Sequence, residues 1–97
     1  MKVRYRPTAL AQIDAIFRHI EAHDAAAARR VVQSIRASII RVGRFPYSAR
    51  ASIVPAIREL PIRRYPYIVF YTVDEAAQEV IILRVWHTAK DPKRHLD

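Results

Sequence analysis

The stretch ILRVWHTAKDP (residues 82–92) places an arginine inside the chain's most apolar run and a histidine where that run stops. Histidine is the side chain that ordinarily exchanges a proton near neutral pH, so His87 is a candidate general acid or base. Glu59 could serve as the complementary base. Arg58, Arg63, Arg64 and Arg84 could hold phosphate oxygens through their planar, two-point forks. Such a set would suit metal-independent RNA cleavage through the 2′-hydroxyl. Each member also has a plainer structural role, Glu59 pairing with a neighbouring arginine and His87 simply ending a strand.

Other chemistries fall away. His19 and His23 have the i, i+4 spacing of a helical metal pair, but no carboxylate or third histidine supports them, and they read as solvated residues near a helix end. The chain has no cysteine, which removes thiolate ligands, disulfides and cysteine nucleophiles. Its single glycine cannot build a phosphate-cradling loop. No metal or cofactor is expected.

Seventeen Lys and Arg against nine Asp and Glu give a formal charge of +8, and fourteen of the cations are Arg. This excess points to a polyanion or an acidic protein as partner. At 97 residues, 52% of them hydrophobic, the chain is expected to form one domain over residues 1–97 with an ordinary core. MKVRYRPTAL lacks a signal-type apolar run, and no segment reaches the roughly 20 apolar residues of a membrane span. A soluble, cytoplasmic protein is expected.

The elements that must position these residues follow from spacing. KVRYR (residues 2–6) alternates Val3 and Tyr5 against three cations, as a short strand with one wet face does. Pro7 ends it, and Thr8 is placed as N-cap of a helix over residues 8–23. Leu10, Ile13, Phe17 and Ile20 fall at helical spacing, with Ile16 widening the stripe. Asp24 resets the chain as N-cap of a second helix over residues 25–42. There AAAARR has high helix propensity, and Ala28, Val31, Ile35, Ile39 and Val42 form the apolar stripe. Gly43 stands where a helix C-terminus favours a left-handed residue. Two helices so closely joined form an antiparallel hairpin.

Residues 44–56 contain two prolines and no clear period, and read as loop. Strands are expected over residues 57–62, 67–73 and 80–87. The short RRYP and DEAAQE connections make them an antiparallel meander. Pro61 makes the first of the three short or places it at an edge. The expected fold class is α+β in the order β-α-α-β-β-β, the helical hairpin packed on one face of a small, mostly antiparallel sheet. Strict alternation puts Ile81, Leu83 and Val85 beneath the helices, in a core with Phe17, Ile35 and Ile39. It puts Val80, Ile82, Arg84 and Trp86 on an open face suited to binding.

This order, the stretch RELPIRRYPYIVFYTV and the closing ILRVWHTAKDP resemble the RelE/ParE superfamily of type II toxin–antitoxin toxins over essentially the whole chain. The resemblance implies a growth-inhibiting bacterial toxin, neutralised in a hetero-oligomer by a cognate antitoxin that contributes an acidic, partly disordered segment. It also implies one of two targets. RelE-like members cut mRNA on the ribosome, and ParE-like members act on DNA gyrase. The mRNA-cutting branch commonly carries an Arg directly after the tyrosine of its Y-R-x-V-Y strand, where it holds the reacting phosphate; in Tyr67–Tyr71 the equivalent position is Ile68. The branch often has a cation just beyond the last strand, where this chain has Thr88, and lysines on the strand that here reads IREL. The long hairpin also resembles the ParE branch.

A ParE-like, non-nucleolytic toxin is the favoured expectation, with Arg84, Trp86, His87, Lys90, Lys93 and Arg94 as target contacts. If the chain is instead a RelE-type mRNA endoribonuclease, Glu59, Arg84 and His87 carry the chemistry. A basic nucleic-acid-binding module without toxicity ranks third, because operator binding in such systems usually belongs to the antitoxin.

Overall fold

A computed structural model describes residues 1–89 of the chain. The elements run β1 (Lys2–Tyr5), α1 (Pro7–Glu21), α2 (Ala25–Arg44), β2 (Arg50–Ala51), β3 (Arg58–Pro61), β4 (Tyr67–Asp74) and β5 (Glu79–His87). The α+β class holds, with two helices against one five-stranded sheet of order β1-β5-β4-β3-β2. β3, β4 and β5 form the expected antiparallel meander, and β1 lies parallel to β5. β2 is a two-residue strand inside the stretch expected to be loop, and it pairs only with Arg58 and Glu59. Pro61 lies beyond the end of β2, where its missing N–H interrupts no ladder.

The helix ends correct two expectations. Pro7 occupies the first turn of α1, where its fixed φ suits the helix and its absent N–H would lack a helical acceptor anyway. Arg6, rather than Thr8, is therefore the N-cap, and no side chain caps this end. Asp24 does cap α2, its Oδ1 accepting from the Ala27 N–H at 3.0 Å. Gly43 does not terminate α2. The helix continues through it to Arg44, and its φ is not positive. Its role is close approach: a Cβ here would lie 2.9 Å from Val3 Cγ2 and 3.4 Å from Met1 O. The Met1 ammonium donates to Gly43 O at 2.8 Å. Glycine lets β1 run against the last turn of α2.

The largest correction is in β5. The ladder pairs Tyr71 with Ile82 and Phe70 with Arg84, so it skips Leu83 and forms a β-bulge. One extra residue shifts the alternation by one. Val80, Ile82 and Val85 all face the helices and are almost wholly buried with Val69, Tyr71, Ile35 and Ile39. The expected faces are thus reversed before the bulge: Val80 and Ile82 lie beneath the helices, while Ile81 does not and Leu83 is half-buried outside the main core. After the bulge Val85, Arg84 and Trp86 fall as expected. The outer face is not bare either, because Phe70 and Ile81 are buried on it. On α1 the core stripe is Ala9, Ile13, Ile16 and Ile20. Phe17 is half-buried beside it rather than in the core, and Leu10 is exposed.

Two substitutions test this packing. Ile82→Ala should lower the stability measured by urea denaturation by about 2–5 kcal/mol, and Leu83→Ala by less than about 2 kcal/mol; an unbroken alternation would reverse that ranking. Gly43→Ala should destabilise the fold, although alanine is favoured over glycine in a helix by about 1 kcal/mol. In a Val3→Ala background the same change should become neutral or stabilising. An equal cost in both backgrounds would show that Val3 is not what the missing Cβ makes room for.

Candidate functional site

β1 pairs with β5 only from Glu79 to Ile82. Beyond that point the same edge of β5 needs other partners. The Arg6 N–H donates to Ile82 O at 3.0 Å, and then Gln12 of α1 takes over, its Oε1 accepting from the Val85 N–H at 2.7 Å. α1 is thereby held over the C-terminal half of β5. Between them runs a groove of about 350 Å³ lined by Ala15, Ile16, His19, Tyr67 and His87. A smaller hollow beside it adds Gln12, Val85 and Trp86.

His87 is fixed by its neighbours. Tyr67 lies opposite it across the ladder, and the two rings meet edge to face with centroids 5.3 Å apart. The Ala89 N–H donates to His87 Nδ1 at 3.1 Å, so the neutral imidazole carries its proton on Nε2. The chain then turns away, with the Thr88 N–H donating to Pro66 O at 2.8 Å. His19 lines the same groove from α1, and its ring stands edge-on to that of His23, 6.3 Å away. Both are exposed, and among the described residues no group of three or more His, Cys, Asp or Glu could hold a metal ion.

Arg84 belongs to the other face. Register sets Arg50, Glu59, Phe70 and Arg84 in one row across β2, β3, β4 and β5. Glu59 is engaged within it, 2.6 Å from Arg50 Nε. Arg84 stands two strands from Glu59, roughly 10 Å at ordinary strand spacing, with buried Phe70 between them. The next row is Pro61, Ile68 and Trp86, so Ile68 and half-buried Trp86 are neighbours on this outer surface. The structure thus brings Glu59 and Arg84 to one face and sends His87 to the other. The bulge does not change that separation, because Arg84 and His87 both follow it and three steps of alternation reverse the side.

The remaining arginines divide by task. Arg58 faces the helix side, where its guanidinium sits 5.0 Å from the Tyr47 ring centroid and Nη1 donates to Ala49 O at 2.7 Å. It fastens the loop after α2, as does Tyr71, whose hydroxyl donates to Pro46 O at 2.8 Å. Arg63 and Arg64 occupy the β3–β4 turn, facing α2 rather than the groove. Lys90, Lys93 and Arg94 lie outside the described residues. Sequence reasoning missed Gln12 and the roles of Tyr67 and Ala15 in the groove. Gln12 interrupts an apolar stripe as any solvated polar residue does, and Tyr67 meets His87 only once the ladder register is fixed.

Burial raises the phenol of Tyr67 above its ordinary value of 10.0. It also raises Tyr5, against a smaller opposing effect of Arg36, and Tyr71, against smaller opposing effects of the Ala49 backbone and then Arg58. The folded chain holds these protons more tightly than the unfolded one. Their contribution to stability is therefore fully present below about pH 10 and is lost as pH climbs through the raised values. A phenolate absorbance titration should show these tyrosines ionising late, together with alkaline unfolding. Full ionisation at pH 10 without loss of structure would contradict the burial described here.

Comparison with known proteins agrees with this geometry. Residues 3–92 match the model of the ParE toxin of the type II toxin–antitoxin system parDE. A curated relative, Y4kP of Sinorhizobium fredii, whose toxin designation is provisional, is 34% identical over 86 residues, covering 89% of this chain and 86% of its own. A chain of the chromosomal ParDE system of P. aeruginosa superposes with a TM-score of 0.79 at 27% identity, over 90% of this chain and 95% of that one. The intact E. coli RelBE toxin–antitoxin complex contains the same fold, with a TM-score of 0.70 at 14% identity over 93% and 98% of the two chains. The chain belongs to the ParE toxin family of type II toxin–antitoxin systems.

Proposed function

We propose that this toxin inhibits growth in the cytoplasm by binding DNA gyrase rather than by cutting mRNA on the ribosome, and that a cognate antitoxin neutralises it. The observation that carries this reading is the separation of Arg84 and His87 onto opposite faces of β5. Cleavage through a 2′-hydroxyl needs an acid or base and a phosphate-holding cation around one reacting atom, within hydrogen-bond reach. Here the histidine looks into the groove under α1, the arginine looks out, and Glu59 is occupied by Arg50. Ile68 puts an aliphatic side chain on the outer face, where a phosphate-holding strand would need a cation.

A contact mechanism asks less of the geometry. It needs a surface with aromatic and arginine anchors, and the outer face offers exposed Arg84 beside half-buried Trp86. The likeness to ParDE at 27% identity points the same way. An acidic, amphipathic antitoxin segment suits the formal +8 charge and the partly apolar groove lined by Ala15, Ile16 and Tyr67.

Induced expression in a sensitive bacterium, with chromosomal breaks and mRNA integrity followed in parallel, tests the mechanism. The expected outcome is DNA damage or lost supercoiling with intact mRNA, relieved by co-expression of the neighbouring antitoxin. Arg84→Ala and Trp86→Ala should weaken growth inhibition in graded steps. Early mRNA cleavage that drops by about 10²–10⁴ on removing His87, the usual share of a general acid or base, would establish the endoribonuclease instead.

A further inference from the structure

Arg63 and Arg64 of the β3–β4 turn meet Ser34, Ala37, Ser38 and Arg41 of α2 around a pocket of about 280 Å³. The four helical residues fall at i, i+3, i+4 and i+7, one continuous stripe beside the buried stripe of Val31, Ile35, Ile39 and Val42. Three guanidinium groups therefore share one concavity, and no carboxylate among the described residues lines it. The ion pairs formed among the described residues use Arg4, Arg18 and Arg50, none of these three. Gathering like charges in this way is unfavourable until an anion joins them. The turn adds a second sign. Arg64 has φ 74°, in the left-handed region where a side chain other than glycine is strained, yet it is arginine that stands there.

We infer that this pocket is an oxyanion site that takes a backbone phosphate of a nucleic acid. Arginine forks give two-point bonds to non-bridging phosphate oxygens, and a serine hydroxyl can add a further donor. Ser38 Oγ already donates to Ser34 O at 3.0 Å, which leaves Ser34 and the arginines as the donors. The described lining has no aromatic ring for a base to stack on and only Ala37 as apolar surface. It therefore offers neither base readout nor the anchors that an amphipathic peptide helix needs. The site is separate from the groove and the outer face, and it holds whichever target the toxin has.

The test uses the full chain and fluorescence anisotropy across a range of KCl concentrations. Two labelled probes serve, a mixed-sequence DNA duplex and a single-stranded RNA with the same number of phosphates. Arg63→Ala and Arg41→Ala should each weaken binding about tenfold, and on the duplex flatten the salt slope by about 0.9 for each phosphate no longer neutralised. Arg18→Ala, which removes an exposed arginine paired with Asp14, should change neither quantity. Arg64→Gly removes a guanidinium while relaxing the backbone, so it should weaken binding with an unchanged or higher melting temperature. Whichever probe loses more affinity names the natural source of the phosphate, and either result supports the site. Wild-type affinity and slope in both Arg63→Ala and Arg64→Gly would overturn it. So would competition by polyglutamate as effective as that by nucleic acid of equal charge.

Discussion

The organisation of this toxin depends on how β5 satisfies the backbone of its outer edge. A strand buried in a sheet must find a partner for each N–H and C=O on both sides, because an unpaired buried polar group costs about as much as a lost hydrogen bond. β4 serves one side along the whole length of β5, whereas β1 serves the other only as far as Ile82. Arg6 and then Gln12 continue that edge, first with a main-chain N–H and then with a side-chain amide. A single residue, Arg6, separates β1 from α1, and Pro7 opens the helix immediately after it. The helix is thus tied over the end of β5, and the groove at Tyr67 and His87 is the space left between them.

The bulge at Leu83 acts together with that constraint. By adding one residue it lets Ile82 and Val85 both fill the core, and it leaves Arg84 on the outer surface beside Trp86 and above Phe70. Without it, an unbroken alternation that kept Ile82 in the core would carry Val85 out of it and turn Arg84 inward. A guanidinium there would need a buried partner that this apolar core does not contain. The bulge therefore reconciles a long apolar strand with an arginine inside it. Bulges commonly re-aim side chains next to functional surfaces.

Charge is distributed unevenly between structure and surface. Arg58 and Arg50 are committed to the loop after α2 and to Glu59. Arg84 on one face and the Arg41, Arg63 and Arg64 cluster on another point outward. With a formal charge of +8 the field around the protein favours anionic partners and speeds their encounter. The two basic surfaces present different neighbours, aromatic and aliphatic at Arg84 and hydroxylic at Arg63. They are suited to different kinds of contact.

Local chemistry in the sequence was enough to determine the order of every element except the two-residue β2, the helical hairpin, the antiparallel meander, the Asp24 cap and the core stripe of α2, because each depends on residues only a few positions apart. Alternation in KVRYR likewise identified the wet and dry sides of β1. The candidate residues His87, Glu59 and Arg84 were legible as chemical types. Their mutual placement was not. A bulge is one unpaired residue in a ladder, and whether Leu83 or a neighbour is skipped depends on which register buries Ile82 against Tyr71 and Val85 against Val69. Gly43 misled for a related reason: its local context fits a helix stop, while its actual constraint is Val3, forty positions away in the chain and 2.9 Å from where a Cβ would be. Gln12, Tyr67 and the Arg41–Arg63–Arg64 pocket are likewise products of long-range contact. Sequence patterns record the period of an element, and only the folded chain determines which elements meet.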